Sequence, residues 1–550
     1  MANLNFVILL KASAWILLCI SLPSCRAARD LPKESSTVII IGAGMSGIMA
    51  AKTLSDHGIN DFLILEATDK IGGRMVSTDF SGYTVEIGAN WVEGVGGKHV
   101  NPIWELAKRY NLRMSKSNFD NISSNVYNEE GRLLPLSETK PHFDIADACQ
   151  SYLDVLSNSL NAHDEEDISL TTGQRLFGLI PTSPLDMAID YSYYDFEIAE
   201  PPRVTSLKNV LPNPTFVEYG DDEYFVCDKR GYSYIPKQLA KDFLKHENEI
   251  IIDPRLQLQK VVRHIEYSAN GVRIETEDNS TFYSKYAILS VSLGVLKSRL
   301  ITYQPDLPYW KIKTFYQFDM SIYTKIFLKF PYTFWLTGPG TEFFLYTDDS
   351  RGYYTYWQHL ENEYPGSNII FVTVTDDESR RIEQQSDEET KGEIMQVLRK
   401  LFGKDIPEPE NILVPRWWKN RLHGGSYTNW PIGVSEADFD RMKAPVGPLY
   451  FTGEHTSSNF NGYVHGAYLA GIATAETLVD CIKYKKCKEI TSNDLPWMNP
   501  NTTQVTNKTE QTCNGVCCKA IQQERESLRS FYIDTIDSLQ HALTNKCKPS

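Results

Sequence analysis

The stretch that decides the fold is residues 37–74, which read TVIIIGAGMSGIMAAKTLSDHGINDFLILEATDKIGGR. The apolar run 38–41 predicts a buried strand, and an Ala-rich segment with helical apolar spacing follows the glycine-rich residues 42–47. A second apolar run, 62–65, predicts another strand, which ends at Glu66. Strand, glycine-rich turn, helix, strand and acid in this order are typical of a βαβ unit that binds a dinucleotide.

Each of the three glycines in the turn has its own structural role. Gly42 permits the tight turn, Gly44 lets a pyrophosphate approach the backbone, and Gly47 lets the helix pack closely on the strand. The N-terminus of the helix offers free N–H groups and a partial positive charge to the phosphates. Glu66 can accept hydrogen bonds from both ribose hydroxyls. By itself this fingerprint does not distinguish NAD from FAD.

Composition and charge narrow the class of protein. The 550 residues give room for two or three domains, and 42% hydrophobic with 23% charged residues is ordinary for a globular protein. The formal net charge of −15 argues against nucleic acid and anionic membranes as partners. It suits cationic ligands, although many acidic proteins are simply soluble.

Residues 1–28 predict a secretory signal peptide. Apolar residues 6–10 and 12–22 are interrupted by Lys11, and mostly small residues at 24–28 suit cleavage. The apolar run is short for a membrane span and no later stretch is long enough, so we expect no stable span after cleavage. The expected location is extracellular or in the cell wall (the apoplast). An uncleaved anchor is the alternative.

Cysteines and sequons agree with passage through the secretory pathway. Two of the ten cysteines lie in the signal, and the other eight permit disulfides whose pairing the sequence does not define. Four N-x-S/T sequons predict glycosylation, at Asn121, Asn279, Asn501 and Asn507. The tail 489–550 holds several cysteines and a helical pattern at 519–543, and we favour disulfides over a zinc site there.

The order of apolar patterns predicts a discontinuous dinucleotide-binding domain. Its three segments are residues 35–112, 246–294 and 441–488. The aromatic-rich segments between them, 113–245 and 295–440, mix strand-like and helical patterns, and we interpret them as one substrate domain inserted twice. The fold class is therefore α/β (α+β overall), with a Rossmann-like domain and a second domain of mixed sheet and helices.

Several motifs together resemble the flavin-containing amine oxidases, most closely the secreted plant-type polyamine oxidases. The resemblance covers about residues 35–488 and does not explain the tail. It implies a fold of the amine-oxidase type. The motifs are IGAGMSGIMAA, ILEATDKIGGR, GANWVEG, AEPPRVTS, YTKIFLKF, RWW, YFTGEHTS and NGYVHGAYLAG.

The resemblance implies that the dinucleotide is FAD, bound non-covalently. Ser426 stands where monoamine oxidases carry the cysteine that bonds the flavin. Gly72 and Gly73 with Arg74 resemble the family's second phosphate contact, although two glycines alone also suit a plain turn. The residues implied to bind FAD are Gly42, Gly44, Gly47, Glu66, Arg74, Val262, Trp417, Glu454, Tyr463 and Val464.

Three charged residues are implied to act on the substrate. Lys325 resembles the family's lysine near the flavin, which holds a water, and its place in a buried strand should lower its pKa. Without the motif, a surface lysine would be the simpler interpretation. Glu93 and Glu200 resemble the two tunnel carboxylates that pair with the ammonium groups of a polyamine. For Glu200 the alternative is a loop acid before two prolines.

Aromatic and histidine residues complete the implied site. Tyr323, Tyr427 and Tyr463 would form aromatic walls whose faces favour a cation, whereas outside their motifs such tyrosines more often pack in a core. Position 427 is often phenylalanine in the plant enzymes, so its tyrosine is a departure that bears on substrate preference. The histidines of the same motifs lack the spacing of metal ligands, and no metal is expected.

The implied activity is oxidation of spermidine or spermine at the secondary amine. A hydride leaves the carbon next to an uncharged nitrogen for FAD, water hydrolyses the imine, and dioxygen is reduced to hydrogen peroxide. The expected products are 1,3-diaminopropane and an aminoaldehyde. The alternatives are back-conversion of spermine to spermidine plus 3-aminopropanal, a monoamine-oxidase-like or lysyl-demethylase-like enzyme, and a flavoprotein scaffold without activity. The expected partners are the polyamine and dioxygen, and the expected state is a monomer.

Overall fold

The computed structural model describes residues 35–487. The predicted signal sequence at 1–28 and the predicted tail at 489–550 therefore lie outside the described residues, as do the sequons at Asn501 and Asn507.

The first sheet is built around the strand that precedes the glycine-rich turn. Ser36–Ile41 runs parallel to Phe62–Leu65 on one side and to Thr281–Leu289 on the other. Leu449–Phe451 pairs in parallel with the end of Thr281–Leu289. The other strands of this eight-stranded sheet are Leu256–Gln257, Val262–Ser268, Gly271–Thr276 and Thr302–Gln304.

Segments far apart in the sequence thus contribute strands to one sheet. One strand departs from the predicted division, because Thr302–Gln304 pairs in parallel with Val262–Ser268 although it falls in the range 295–440 assigned to the substrate domain. The predicted domain boundaries themselves stay a prediction.

The glycine-rich turn brings the first strand and the first helix into direct contact. Gly42 has φ +105°, which favours glycine. A Cβ on Gly47 would lie 2.0 Å from the Gly42 carbonyl oxygen, so only glycine fits where helix Met45–Asp56 leaves the strand. Helix Val464–Tyr484 packs along Met45–Asp56, and both contribute to the apolar core beneath the sheet.

A second, six-stranded sheet carries much of the remaining chain. Its longest strands, Tyr323–Lys329 and Ile369–Thr375, pair antiparallel and are almost wholly buried. The other strands are Asn411–Leu413, which lies beside Tyr323–Lys329, and Tyr356–His359, Phe343–Tyr346 and Val126–Tyr127, which follow Ile369–Thr375 in that order. A smaller sheet joins Trp91–Val95 to Asp222–Val226, which also pairs with Met114–Lys116.

The remaining strands form three two-stranded ribbons. They are Ser77–Phe80 with Tyr83–Glu86, His246–Glu247 with Ile250–Ile251, and Met320–Ser321 with Tyr427–Thr428.

Local sequence defines many of the helix ends. Asn101 caps the helix that begins at Pro102, and Ser386 forms a capping box with Glu389. The other helices and helical turns are Leu136–Ala162, Leu170–Phe177, Pro184–Asp190, Tyr191–Asp195, Phe196–Ile198, Leu207–Val210, Pro214–Tyr219, Tyr234–Lys241, Leu293–Lys297, Tyr309–Gln317, Asp376–Gln384, Asp387–Phe402, Glu436–Lys443, Ile122–Ser124 and Glu454–Thr456. Within residues 35–487, none of the helices is long and apolar enough to cross a membrane.

Lys311 fastens the end of helix Glu436–Lys443. Its ammonium donates to the carbonyl oxygens of Arg441, Met442 and Ala444 at 2.9, 2.5 and 2.8 Å. The group also lies 3.9 Å from the centre of the Phe451 ring. Because Lys311 is completely buried, no solvent can replace these hydrogen bonds.

We predict that Lys311→Met lowers the free energy of unfolding by about 2–4 kcal/mol, because it leaves three buried carbonyl groups without a donor. Urea denaturation followed by circular dichroism measures this loss. The matched control is Lys443→Met, whose exposed side chain pairs with Asp440 in the same helix and should cost less than about 0.5 kcal/mol. Equal losses in the two variants would contradict the assigned role.

Candidate active site

One cavity begins where the parallel strands of the first sheet end. Ile41, Leu65 and Ser290, each at the carboxyl end of its strand or directly after it, contribute to its wall. In parallel α/β sheets this edge is where cofactors bind, because the helix N-termini and connecting loops meet there. The same cavity continues to residues of the small sheet and to the aromatic residues beside the second sheet.

The glycine-rich turn leaves the wall open to a phosphate group. Apart from its chain neighbours, a Cβ on Gly44 would meet no atom closer than 3.8 Å, so the backbone faces free space. Helix Met45–Asp56 starts at Gly44 with no side-chain cap, so the first N–H groups remain available to a ligand. Gly42 and Gly44 line the cavity, whereas Gly47 lies behind them in the contact between helix and strand.

Glu66 is held rigidly at the other end of this region. Its carboxylate accepts hydrogen bonds from the N–H groups of Ala43 (2.7 Å) and Thr68 (2.9 Å). Glu66 and Val262 both line the cavity. These positions suit the ribose and the adenine side of a dinucleotide, as the sequence predicts.

Arg74 and Glu454 connect two distant parts of the chain beside the cavity. They form an ion pair of 2.7 Å, and Arg74 also donates to the Ser426 carbonyl oxygen at 2.9 Å. Burial by itself would raise the pKa of Glu454, but the charge of Arg74 and the hydrogen bonds from Arg74 and Thr428 together lower it. The carboxylate is therefore ionised and anchors the guanidinium in the wall.

Trp417, Tyr463 and Val464 also line the cavity, as predicted. The Trp417 indole N–H donates to the Ile87 carbonyl oxygen at 3.0 Å, which sets the orientation of the ring. Helix Val464–Tyr484 begins here without a side-chain cap. Two uncapped helix N-termini, an open glycine turn, a fixed acid and an arginine fit the phosphates and ribose of FAD.

Three carboxylates face the far part of the cavity. Glu93 lies in strand Trp91–Val95 and Glu223 stands directly opposite in strand Asp222–Val226. Glu197 approaches from the short helix Phe196–Ile198. All three line the cavity and are only half-buried, because they are exposed to the cavity itself.

Burial raises the pKa of all three acids, and repulsion from neighbouring acids adds to the shift for Glu93 and Glu223. Burial raises the pKa of Glu93, and the charges of Glu197 and Glu223 raise it further. The pKa of Glu223 is raised by burial and by Glu197. Burial also raises the pKa of Glu197, although the hydrogen bond from the Tyr463 hydroxyl, at 2.5 Å, lowers it. A cationic ligand would reverse the effect, because opposite charges favour ionised carboxylates.

The predicted role of Glu200 is corrected by the structure. Glu200 is only 4% exposed, does not line the cavity, and accepts a hydrogen bond from Asn429. Burial raises its pKa to about 7. The physical reason is Ala199, whose φ of +62° turns the chain at the end of helix Phe196–Ile198. The acid that faces the cavity is Glu197, three residues earlier.

Lys325 lies directly behind the cavity wall rather than in it. Its ammonium donates to the Gly88 carbonyl oxygen (2.9 Å) and to Asn90 Oδ1 (2.7 Å), and both of those residues line the cavity. Burial lowers the pKa of Lys325 to about 7, although the charges of Glu86 and Glu93 oppose that shift. A lysine with this pKa can hold or release a proton near neutral pH.

The three predicted tyrosines all contribute to the wall. The rings of Tyr323 and Tyr427 lie 6.1 Å apart. The Tyr427 hydroxyl donates to the Glu197 carbonyl oxygen at 2.8 Å, and the Tyr463 hydroxyl also accepts from Asn213. Tyr427 and Tyr463 therefore hold Glu197 in place as well as lining the cavity.

His465 serves hydrogen bonding in the wall of the site, and burial lowers the pKa of all three histidines. His465 contacts Asn101 and Thr215 through its two ring nitrogens, and burial lowers its pKa to about 3. Burial also lowers the pKa of His423 and of His455 to about 4. Among residues 35–487, no group of three or more His, Cys, Asp or Glu side chains could hold a metal ion.

Two site acids, Glu197 and Glu223, are missing from the sequence-based prediction. Glu197 lies two residues before the motif AEPPRVTS that drew attention to Glu200, and the irregular helix before it hides its direction. Glu223 sits in an acidic run, and only the cross-strand register with Glu93 shows that it faces the cavity. The periodicity of a strand can suggest a face, but it does not identify the partner strand.

Comparisons with known proteins identify the family of this chain. The sequence model of the family described as flavin containing amine oxidoreductase matches residues 45–479. Polyamine oxidase 1 of Zea mays is 54% identical over 458 residues, which cover 82% of this chain and 92% of that protein. Polyamine oxidase 7 of Oryza sativa subsp. japonica is 54% identical over 457 residues, which cover 82% of this chain and 95% of that protein.

A more distant relative and a solved structure show how far the likeness extends. Polyamine oxidase 2 of Arabidopsis thaliana is 29% identical over 465 residues, covering 83% of this chain and 90% of that protein. Wild-type putrescine oxidase bound to putrescine superposes with a TM-score of 0.65 at 20% identity, covering 82% of this chain and all of that chain. The superposition confirms the predicted α/β fold of the amine-oxidase type.

The family model and the relatives above half identity each span most of the chain. The predicted cofactor and class of enzyme are thereby confirmed. The chain belongs to the flavin containing amine oxidoreductase family, and it is an amine oxidase with FAD as its cofactor.

Proposed function

We propose that this enzyme oxidises the polyamines spermidine and spermine at a secondary amine. The products are 1,3-diaminopropane, an aminoaldehyde and hydrogen peroxide, with dioxygen as the final electron acceptor. The observation that carries the proposal is the convergence of Glu93, Glu197 and Glu223 on one cavity between aromatic walls. The name polyamine oxidase borne by relatives at 54% identity supports it.

The carboxylates match a linear polycation better than a monoamine. Two opposite unit charges 4 Å apart attract by about 4 kcal/mol at the effective dielectric constant of a protein surface. Three acids on different elements can pair with ammonium groups spaced along a flexible chain. A monoamine would satisfy one acid and leave the other two to repel each other. The half-buried acids therefore select for several positive charges.

The reacting nitrogen must lose its proton before oxidation. FAD, when bound, accepts the hydride from the carbon next to that nitrogen. The Glu197 carboxylate, positioned by the Tyr463 hydroxyl, is the group proposed to take the proton from the amine. Tyr323, Tyr427 and Tyr463 exclude water and align the chain of the substrate.

Lys325 is proposed to assist proton transfer, although it lies behind the cavity wall. Its ammonium is fixed by Gly88 and Asn90, so its remaining proton can be directed towards a water in the cavity. Its pKa near 7 suits proton transfer during imine hydrolysis or the reduction of dioxygen.

The flavin is proposed to be bound without a covalent link. Ser426 lines the cavity and exchanges hydrogen bonds with the backbone of Tyr323. The described cysteines are elsewhere, because Cys149 and Cys227 are buried in the core and Cys481 forms a disulfide with Cys487.

The experiment that tests the activity is product analysis. After incubation of the holoenzyme with spermine, mass spectrometry should detect 1,3-diaminopropane and an aminoaldehyde, with hydrogen peroxide in equal amount. Recovery of spermidine with 3-aminopropanal would show back-conversion instead. Faster turnover of benzylamine than of spermine would overturn the choice of substrate class.

We also propose that the protein is secreted. The signal-like residues 1–28 and the disulfide between Cys481 and Cys487 support this. Expression of the full chain in plant cells should deliver the enzyme to the extracellular fluid, with an N-terminus close to residue 29 by mass spectrometry. A protein that stays in the cell and keeps residues 1–28 would contradict this.

We predict that Glu197→Gln raises KM for spermine about tenfold or more, whereas Glu200→Gln changes it less than about threefold. Only Glu197 faces the cavity, and a lost charge pair of about 1.4 kcal/mol corresponds to a factor of ten. Steady-state kinetics on both variants measures the difference. The difference in KM between the wild type and Glu197→Gln should widen as pH rises above the raised pKa of Glu197, because the ionised carboxylate can then pair with the substrate. A larger effect at Glu200 would restore the assignment made from the sequence.

We predict that Lys325→Met lowers kcat at least about tenfold while the enzyme still binds FAD, because the lysine lies outside the cofactor cradle. Stopped-flow absorbance separates flavin reduction by spermine from reoxidation by dioxygen. Lys329→Met, in the same strand with a side chain that bonds Phe330, is the control and should keep normal rates. Acid precipitation should release all flavin from both proteins. Unchanged rates in Lys325→Met would refute a role for this residue.

A further inference from the structure

The turn that precedes Glu197 is irregular. Helix Pro184–Asp190 continues into a π-helical turn, Tyr191–Asp195, before the short helix Phe196–Ile198 carries Glu197 to the cavity. A π-helical turn contains one residue more than the α-helical path, and such turns need support from other contacts.

One arginine holds both ends of this turn. Arg351, from the loop after strand Phe343–Tyr346, forms an ion pair of 2.6 Å with Asp190 and a second ion pair with Asp195. It also donates to the Met187 carbonyl oxygen at 3.2 Å. Both aspartates are at most 7% exposed, so each depends on the guanidinium for charge compensation.

The geometry of helices explains why this clamp requires the π-helical turn. In a regular α-helix, residues five apart point about 140° away from each other, because each residue rotates by about 100°. Asp190 and Asp195 could not then reach one guanidinium. In a π-helical turn, residues five apart are stacked by hydrogen bonds between positions i and i+5. The two ion pairs of Arg351 therefore stabilise the wide turn over the regular one.

The same extra residue determines the direction of Glu197. Along an uninterrupted α-helix, Glu197 would lie two turns after Asp190 and point to the same side, towards Arg351. The residue added by the π-helical turn rotates it by about 100°. In the structure it meets the Tyr463 hydroxyl and faces the cavity.

The surrounding contacts show that the turn is packed tightly on Arg351's loop. Gly352, next to Arg351, has φ +81°, and a Cβ there would lie 3.0 Å from the Tyr191 ring. Tyr191 itself accepts a hydrogen bond from Thr375 in the second sheet. Phe196 stacks on Tyr356 with ring centres 3.7 Å apart. These contacts fix the position of the turn, whereas the two ion pairs of Arg351 stabilise its π-helical conformation.

We propose that Arg351 is a positioning residue for Glu197: by clamping Asp190 and Asp195 it maintains the π-helical turn that points the Glu197 carboxylate at the cationic substrate. The kinetic part of its test rests on the proposed function, because that part uses spermine as the substrate. Arg351 itself does not line the cavity, so it acts only through the turn.

The test compares three variants of the holoenzyme. Arg351→Met removes the clamp, Arg351→Lys keeps one charge without the fork, and Asp190→Asn/Arg351→Met/Asp195→Asn removes the charges together, so that no buried carboxylate is left unpaired. Arg255→Met is the matched control, because Arg255 pairs with the equally buried Asp253 outside the cavity wall.

We expect Arg351→Met and the triple variant to raise KM for spermine about tenfold and to lower kcat as well, because Glu197 also takes the proton from the amine, and we expect Arg351→Lys to recover part of both losses. In a Glu197→Gln background the same changes should alter KM less than about twofold. Arg255→Met should lower the melting temperature without changing KM. Normal KM in a folded triple variant, or an equal effect in the Glu197→Gln background, would overturn the proposal.

A second measurement, a pH titration, needs no substrate. We expect the flavin absorbance of the holoenzyme to change as acids in the cavity ionise, and the component of this titration that is lost in Glu197→Gln is assigned to Glu197. The titratable groups that face Glu197 are Glu93, Glu223, Tyr323, Tyr356, Tyr427 and Tyr463, all retained in the variants. A midpoint shifted in the triple variant supports the clamp, and an unshifted midpoint refutes it. If the wild type does not oxidise spermine, the proposed function fails while this titration still decides the role of Arg351.

Discussion

The contact between Gly42 and Gly47 is the constraint on which the rest of the molecule depends. The helix leaves the first strand so closely that any side chain at position 47 would collide with the Gly42 carbonyl group. This closeness places the helix N-terminus, and its free N–H groups, at the carboxyl end of the sheet. Glu66 is fixed by the N–H of Ala43 inside the same turn. Arg74 and Glu454 then join the start and the end of the described chain around that point.

Charge is distributed unevenly between the two parts of the cavity. Around the glycine turn the structure offers N–H groups and an arginine, which suit the phosphates of FAD. Around Glu93, Glu197 and Glu223 it offers acids whose pKa values are raised by burial. Desolvation dominates as long as no cation is present, and pairing with a cation would reverse the balance. The two parts can therefore hold an anionic cofactor and a cationic substrate in one continuous space.

Local sequence indicated the glycine turn and Glu66 of the cofactor half, whereas it indicated less of the substrate half. The turn at residues 42–47 and the acid at 66 act through the backbone, and glycine spacing records backbone requirements directly. Lys325 was identified through its motif, yet its place behind Gly88 and Asn90 depends on two strands meeting. Glu200 was chosen from its motif and Glu197 was not considered, because a left-handed residue and a π-helical turn between regular elements leave no periodic signal. Glu223 required the register of a strand about 130 residues away from Glu93 in the sequence.

The residue added by the π-helical turn has a consequence for the evolution of such sites. Glu197 follows that residue, so its direction depends on a single-residue insertion rather than on a substitution. Strand Trp91–Val95 also contains an extra residue, but its bulge lies after Glu93, which keeps the regular register opposite Glu223. An insertion of this kind rotates every later side chain at once, which lets a scaffold test a new orientation of an existing acid in one mutational event. A relative that lacks the insertion before Glu197 can keep the same acidic residues in its sequence and still present a different set of charges to the substrate.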